Sequence, residues 1–158
     1  MRVIFLDFDG VLNSDSFFRA NDGRYVPGAL DPGAVARLTA LVARTGAKVV
    51  IASTWRLDYT LERIREILAK HGFVGEVIGV TPSIQRVDED EGCIVRHGPR
   101  GLEIQAWIDA QPEPVEAFVI LDDQRDMEHL LPRLVCTDFA TGLLDAHVED
   151  AFARLSGG

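Results

Sequence analysis

Residues 3–16, VIFLDFDGVLNSDS, set an apolar run, Val3-Ile4-Phe5-Leu6, against two carboxylates spaced i, i+2, Asp7 and Asp9, with Gly10 directly after them. An apolar run of this kind reads as a strand buried on both faces. Unpaired charge at the end of such a strand is costly. The fold must therefore bring something to that strand end which both acids can share.

The rest of the chain supplies the context. Further strand candidates lie at 47–52, 77–80, 117–121 and 134–136, after a first at 2–7. Helical patterns separate them. Asp31-Pro32 is a cap followed by proline at the first helical position, and Val35, Leu38 and Val42 then share a face. Leu61, Ile64 and Leu68 form a second stripe ending near Gly72, and 101–110 a third helix. Asp126 to Leu131 reads as a short fourth helix stopped by Pro132. Val148, Ala151, Phe152 and Leu155 make a closing helix with Asp145 as its cap. This order predicts an α/β fold, a Rossmann-like, open, mainly parallel five-stranded sheet with helices on both faces. The 158 residues are expected to form one domain, 1–158, with inserts at 11–30 and 81–99.

In such sheets ligands bind at the carboxyl ends of the strands. Asp7 and Asp9 follow the first strand, and Ser53, Thr54, Trp55 and Arg56 the second. Pro99-Arg100-Gly101 opens the third helix, and Asp122, Asp123, Arg125 and Asp126 follow the fourth strand. Converging carboxylates cannot all remain ionised without a cation. Oxygen ligands without nearby His or Cys suit a hard ion, Mg²⁺ before Ca²⁺. Arginines and a strand-end hydroxyl hold phosphate oxygens. A carboxylate can attack phosphorus, and a second one two residues on can serve as acid and base.

Other features carry less. Trp55 and Trp107 are expected in packing rather than as stacking platforms for bases. His71, His97, His129 and His147 form no pairing pattern, and the run Asp88-Glu89-Asp90-Glu91 reads as a solvated loop. Cys93 and Cys136 have no metal spacing and are expected as reduced thiols. The net charge of −9 disfavours nucleic acid unless a local basic patch compensates. No run approaches a membrane span, and Asp7 and Asp9 interrupt any signal-like stretch, so a soluble cytoplasmic protein is expected.

These motifs resemble the haloacid dehalogenase (HAD) superfamily of aspartate-nucleophile phosphotransferases. VIFLDFDGVL resembles the first motif, VVIAST the second and ILDDQRD the acidic fourth. The resemblance implies Asp7 as nucleophile and Asp9 as acid/base. It implies Gly10, Arg100 and either Ser53 or Thr54, with Ser53 favoured, around the phosphate. Arg56 and Arg125 would face the substrate. Mg²⁺ would lie among Asp7, Asp9, Asp122 and Asp123, with Asp123 the favoured ligand of the second pair and Asp122 and Asp126 further out. The third motif is most often lysine, yet Lys48 and Lys70 are the chain's only lysines and lie elsewhere. Arg100 is expected to substitute, with Arg96 as its competitor. The inserts are too short for a cap domain. The small size, STWR and LDDQRDM are similar to the HAD domains of nucleic-acid repair proteins, such as the phosphatase half of polynucleotide kinase–phosphatase.

The implied activity is Mg²⁺-dependent phosphomonoester hydrolysis through an aspartyl-phosphate, on a macromolecular end such as a nucleic-acid 3′-phosphate. Alternatives are a small-metabolite phosphatase or phosphotransferase, and a catalytically inactive HAD-like binding module. A receiver domain would need an aspartate at the end of its third strand, where this chain has Val80-Thr81-Pro82.

Overall fold

The computed structural model describes residues 1–90, 92 and 94–157. Five strands, β1 (Arg2–Leu6), β2 (Lys48–Ile51), β3 (Val77–Val80), β6 (Ala117–Asp122) and β7 (Leu134–Cys136), form one all-parallel sheet in the order β3-β2-β1-β6-β7. β4 (Gln85–Asp88) and β5 (Ile94–His97) make a separate antiparallel hairpin.

Successive side chains of a strand face opposite sides, so β1 feeds two cores. Ile4 and Leu6 pack with α2 (Pro32–Thr45), the one-turn α3 (Trp55–Asp58), α4 (Leu61–Lys70) and α6 (Asp145–Ser156) through residues such as Leu38, Trp55, Ile64 and Leu155. Val3 and Phe5 pack with α5 (Arg100–Asp109) through Ile104 and Trp107. The Phe5 and Trp107 rings meet edge to face. Burial of the central strand on both faces accounts for its unbroken apolar run.

Asp31 caps α2 by accepting from the Gly33 amide at 2.9 Å, ahead of Pro32, as its sequence predicts. Two local readings are corrected. The segment expected as a helix stopped by Pro132 is a 3₁₀ turn over Glu128–Arg133, with Pro132 inside it. Its tight i→i+3 pairing, Leu130 N–H to the Met127 carbonyl and Leu134 N–H to that of Leu131, does not need the N–H that proline lacks. Asp145 is the first residue of α6 rather than its cap. The Leu144 amide donates to Nδ1 of His147, and Asp145 instead pairs with Arg37 at 3.1 Å.

The insert at 11–30 holds α1 (Asp15–Ala20), capped by Ser14 accepting from the Phe17 amide. The insert at 81–99 holds the β4–β5 hairpin, with Arg86 opposite Arg96 and Val87 opposite Val95. Glu89 and Asp90 of the acidic run are exposed at its turn, while Glu91 and Cys93 lie outside the described residues. Cys136 is a free thiol. Among the described residues no helix is long and apolar enough to cross a membrane.

Candidate active site

The parallel register assembles the acids. Leu6 is level with Leu121 of β6 and with Ile51 of β2. One step on, Asp7 and Asp122 lie side by side at the strand ends, and the Asp7 amide donates to the Leu121 carbonyl at 3.0 Å. Adjacent strands are about 4.8 Å apart, so equivalent positions point their side chains the same way. Carboxylate oxygens of Asp7, Asp122 and Asp123 all lie within 4.8 Å of one another. Burial, then the charge of Asp122, raises the Asp7 carboxyl well above the usual range, against the opposing pull of Arg100. Asp122 is also raised, chiefly by burial, although Arg100 and the Gln124 amide oppose this.

Gly10 makes the close approach of Asp123 possible. A Cβ at Gly10 would lie 2.5 Å from the Asp123 carboxyl, and its φ of +83° is one that other residues avoid. The Gly10 amide donates to Oδ1 of Asn13 at 3.1 Å, so this glycine also has a packing role beside the expected phosphate site.

Asp9, expected around the metal with Asp7, Asp122 and Asp123, is not among the three clustered carboxylates. Asn13 donates to one of its oxygens at 2.8 Å and the Trp55 indole N–H to the other at 3.2 Å. Trp55 sits edge to face on Phe8, so the indole itself is fixed. The Asp9 carboxylate is thus held at both oxygens and half-buried.

Ser53, at the end of β2, is fully buried, and its hydroxyl oxygen accepts from the Trp55 amide at 3.2 Å. Its proton remains available to donate. Thr54 is exposed and makes no capping bond. Arg125 is exposed on the loop after β6.

Arg100 reaches the cluster from the first turn of α5. One guanidinium nitrogen lies against Asp122 and 3.5 Å from Asp7. Burial opposes its charge, but Asp7, Asp122 and Asp126 more than offset this and raise its pKa. Its competitor Arg96 is instead on the hairpin strand β5. Asp126 accepts from the Arg100 amide at 3.1 Å, and its carbonyl accepts from the Gly101 amide at 3.0 Å. Gly101 is indispensable here, because a Cβ would lie 1.9 Å from the Met127 carbonyl oxygen. Gly101→Ala should push α5 off the acid loop. The expected loss is about 1–3 kcal/mol or more from overpacking, read by thermal melting, with turnover falling as Arg100 moves.

Arg56 corrects another expectation. Its side chain is 4% exposed and its guanidinium lies 2.9 Å from Glu103, which is 3% exposed. It also donates to the carbonyls of Ser53 at 2.8 Å and Thr81 at 3.1 Å. Glu103 in turn accepts from the Ile84 amide at 2.9 Å. The pair thus ties the loops after β2 and β3 to α5, and substrate contact is not available to Arg56. Sequence reading missed Asn13, Glu103 and Gly101. Asn13 falls at i+4 from Asp9 in DFDGVLN, but nothing in one sequence tells such an Asn from a turn residue.

The donor set fits a hard divalent cation: three carboxylates, all oxygen, two of them buried and raised above the normal carboxyl range, chiefly by burial. Asp7, Asp122 and Asp123 would hold it.

No curated protein and no solved structure gives a significant match to the chain. Residues 3–148 match the family described as the HAD domain in Swiss Army Knife RNA repair proteins. The matched span begins with β1 and ends within α6, taking in both acid-bearing strand ends and the helix that carries Arg100. With its sheet order, its paired strand-end acids and a match over most of its length, the chain belongs to that family of HAD domains.

Proposed function

We propose that this chain is a Mg²⁺-dependent phosphomonoesterase working through an aspartyl-phosphate on Asp7, and that its substrate is a phosphorylated nucleic-acid end, a 3′-phosphate in the favoured form. The observation that carries this reading is Asp7 at the centre of the site, flanked by Asp122, Asp123 and Arg100, with Asp9 held separately by Asn13 and Trp55. Membership among HAD domains, which are generally hydrolases, supports phosphatase-type activity.

Each residue then has one task. A carboxylate oxygen of Asp7 attacks phosphorus as the bond to the leaving oxygen breaks, and Asp9 gives that oxygen its proton. Asp9 then takes a proton from water as the water attacks the same phosphorus. The bond from phosphorus to Asp7 breaks, and inorganic phosphate leaves. Arg100 and the Ser53 hydroxyl hold phosphate oxygens. Bound Mg²⁺ would supply the positive charge that lets a dianionic phosphate approach three carboxylates.

The nucleic-acid end is favoured by the family's description and by the small inserts, a six-residue helix and a hairpin, neither large enough to enclose a substrate. A small phosphate ester is the second reading, favoured by the net charge of −9.

Hydrolysis of an aryl phosphate should depend on Mg²⁺ and vanish in excess EDTA; full activity in EDTA would overturn the proposal. A 3′-phosphorylated oligonucleotide should give a higher kcat/KM than a mononucleotide 3′-phosphate. That advantage should fall with salt, at a log–log slope of roughly −0.7 per strand phosphate contacted. Equal efficiencies without a salt effect would leave the small-ester reading.

A further inference from the structure

Both N–H groups of Trp55 are bound to side chains of the site. Its backbone amide donates to the Ser53 hydroxyl oxygen at 3.2 Å, and its indole N–H donates to Oδ2 of Asp9, also at 3.2 Å. The other Asp9 oxygen, Oδ1, accepts from the side-chain amide of Asn13 at 2.8 Å. That amide faces one way only, because its own oxygen accepts from the Gly10 amide at 3.1 Å. The indole is fixed as well. Its ring lies 4.6 Å from that of Phe8 and 5.6 Å from that of Tyr59, and the residue is 5% exposed.

An aspartate held by one donor still turns about its Cβ–Cγ bond, a torsion of broad preference. Donors on both oxygens remove that freedom and set the plane of the carboxyl group. Here the two donors come from different segments, Asn13 from the loop after β1 and Trp55 from the start of α3. A buried indole N–H needs an acceptor, and a backbone carbonyl would serve. That need alone does not call for a second, oriented donor on the opposite oxygen of the same acid. Aim matters for an acid that gives its proton to a leaving oxygen, because a misplacement of about 1 Å can cost roughly a hundredfold in rate.

We propose that Trp55 and Asn13 are positioning residues: together they aim the Asp9 carboxyl at the leaving-group oxygen, while the Trp55 amide holds Ser53 at the phosphate. This gives Trp55 a role beyond the packing expected of it. It rests on the phosphomonoesterase reading above and deepens it. The proton step is the one given there, from Asp9 to the leaving oxygen as the bond from that oxygen to phosphorus breaks. An alkoxide, such as that of a sugar, needs this proton to leave, whereas a nitrophenolate leaves almost as well without it. The two donors therefore set how poor a leaving group the site can expel.

Trp55→Phe removes the indole N–H and keeps an aromatic ring against Phe8. The test measures kcat/KM, which covers the steps up to loss of the leaving group, on a nucleoside 3′-phosphate and on nitrophenyl phosphate, both with Mg²⁺. The ratio of the first to the second should fall about tenfold in Trp55→Phe, part of the roughly 10²–10⁴-fold that a general acid supplies. Asn13→Ala should lower it in the same direction. Loosened packing alone would slow both esters alike and leave the ratio at its wild-type value. A second readout needs no turnover and no folded Trp55 variant. In a two-dimensional proton–nitrogen NMR spectrum, Asp9→Asn should move the indole signal of Trp55 and leave that of Trp107 in place. An unmoved Trp55 signal, or an unchanged ratio in a variant that melts as a folded protein, would overturn the positioning role and leave the phosphatase intact. Failure of the wild type to hydrolyse any phosphomonoester with Mg²⁺ would instead overturn the reading beneath it, and the positioning role with it.

Discussion

Asp7→Asn is expected to abolish turnover, with a loss of several orders of magnitude, as is usual when the nucleophile of a covalent route is removed. The amide cannot form the acyl-phosphate bond, so neither half of the reaction proceeds. The same change should raise the melting temperature of the metal-free protein at neutral pH. Burial and the charge of Asp122 hold the Asp7 carboxyl well above its ordinary value of 3.8. A carboxyl with a raised folded pKa binds its proton more tightly in the native state. Its stabilising contribution is therefore complete below the unfolded value and is lost as pH rises through the folded one. As pH rises towards neutrality in EDTA the wild type loses that contribution, whereas asparagine never titrates. The melting difference between variant and wild type should accordingly shrink as pH falls towards 4. More than about a tenth of wild-type activity in Asp7→Asn, against losses of several orders elsewhere, would remove Asp7 from the nucleophile's role.

Arg56→Ala should be the most destabilising of the polar substitutions. It leaves the buried Glu103 carboxylate without its partner, strips the Thr81 carbonyl of its donor, and removes one donor of the Ser53 carbonyl, which keeps the backbone amide of residue 56. Removing one partner of a buried pair costs about 3–5 kcal/mol. In a chain of this length that lowers the melting temperature by roughly 6–20 °C, at about 2–4 °C per kcal/mol. Replacing both partners, Arg56→Met with Glu103→Leu, should recover much of the stability, because well-packed apolar residues often equal a buried pair. If Arg56 acted on the substrate instead, Arg56→Ala would raise KM with little change in melting.

These two residues show what was legible in one sequence. Asp7 could be read because its neighbours permit one environment only: an apolar run long enough to be a central strand, ended by an acid that cannot stay there unaccompanied. Asp122 and Asp123 were legible for the same reason, at the end of a second apolar run. Arg56 was misread because sequence shows that an arginine follows a strand end and not which way it points. Its partner Glu103 lies 47 positions away, on another element. Gly10 was assigned to phosphate from its place in the motif, and only its contact with Asp123, across the sheet, gives its packing role.

The sequence alone determined the five sheet strands and the longer helices between them, the sheet type and the acidic strand ends, because these follow from local periodicity and from the cost of unpaired charge next to apolar runs. Only the tertiary structure decided which acids meet, that Asp9 is held by Asn13 and Trp55 rather than in the cluster, and that Arg100 closes it. Those are contacts between segments far apart in the chain. The parallel register of β1 with β2 and β6 and the close packing of α5 at Gly101 set them, and no local pattern encodes either.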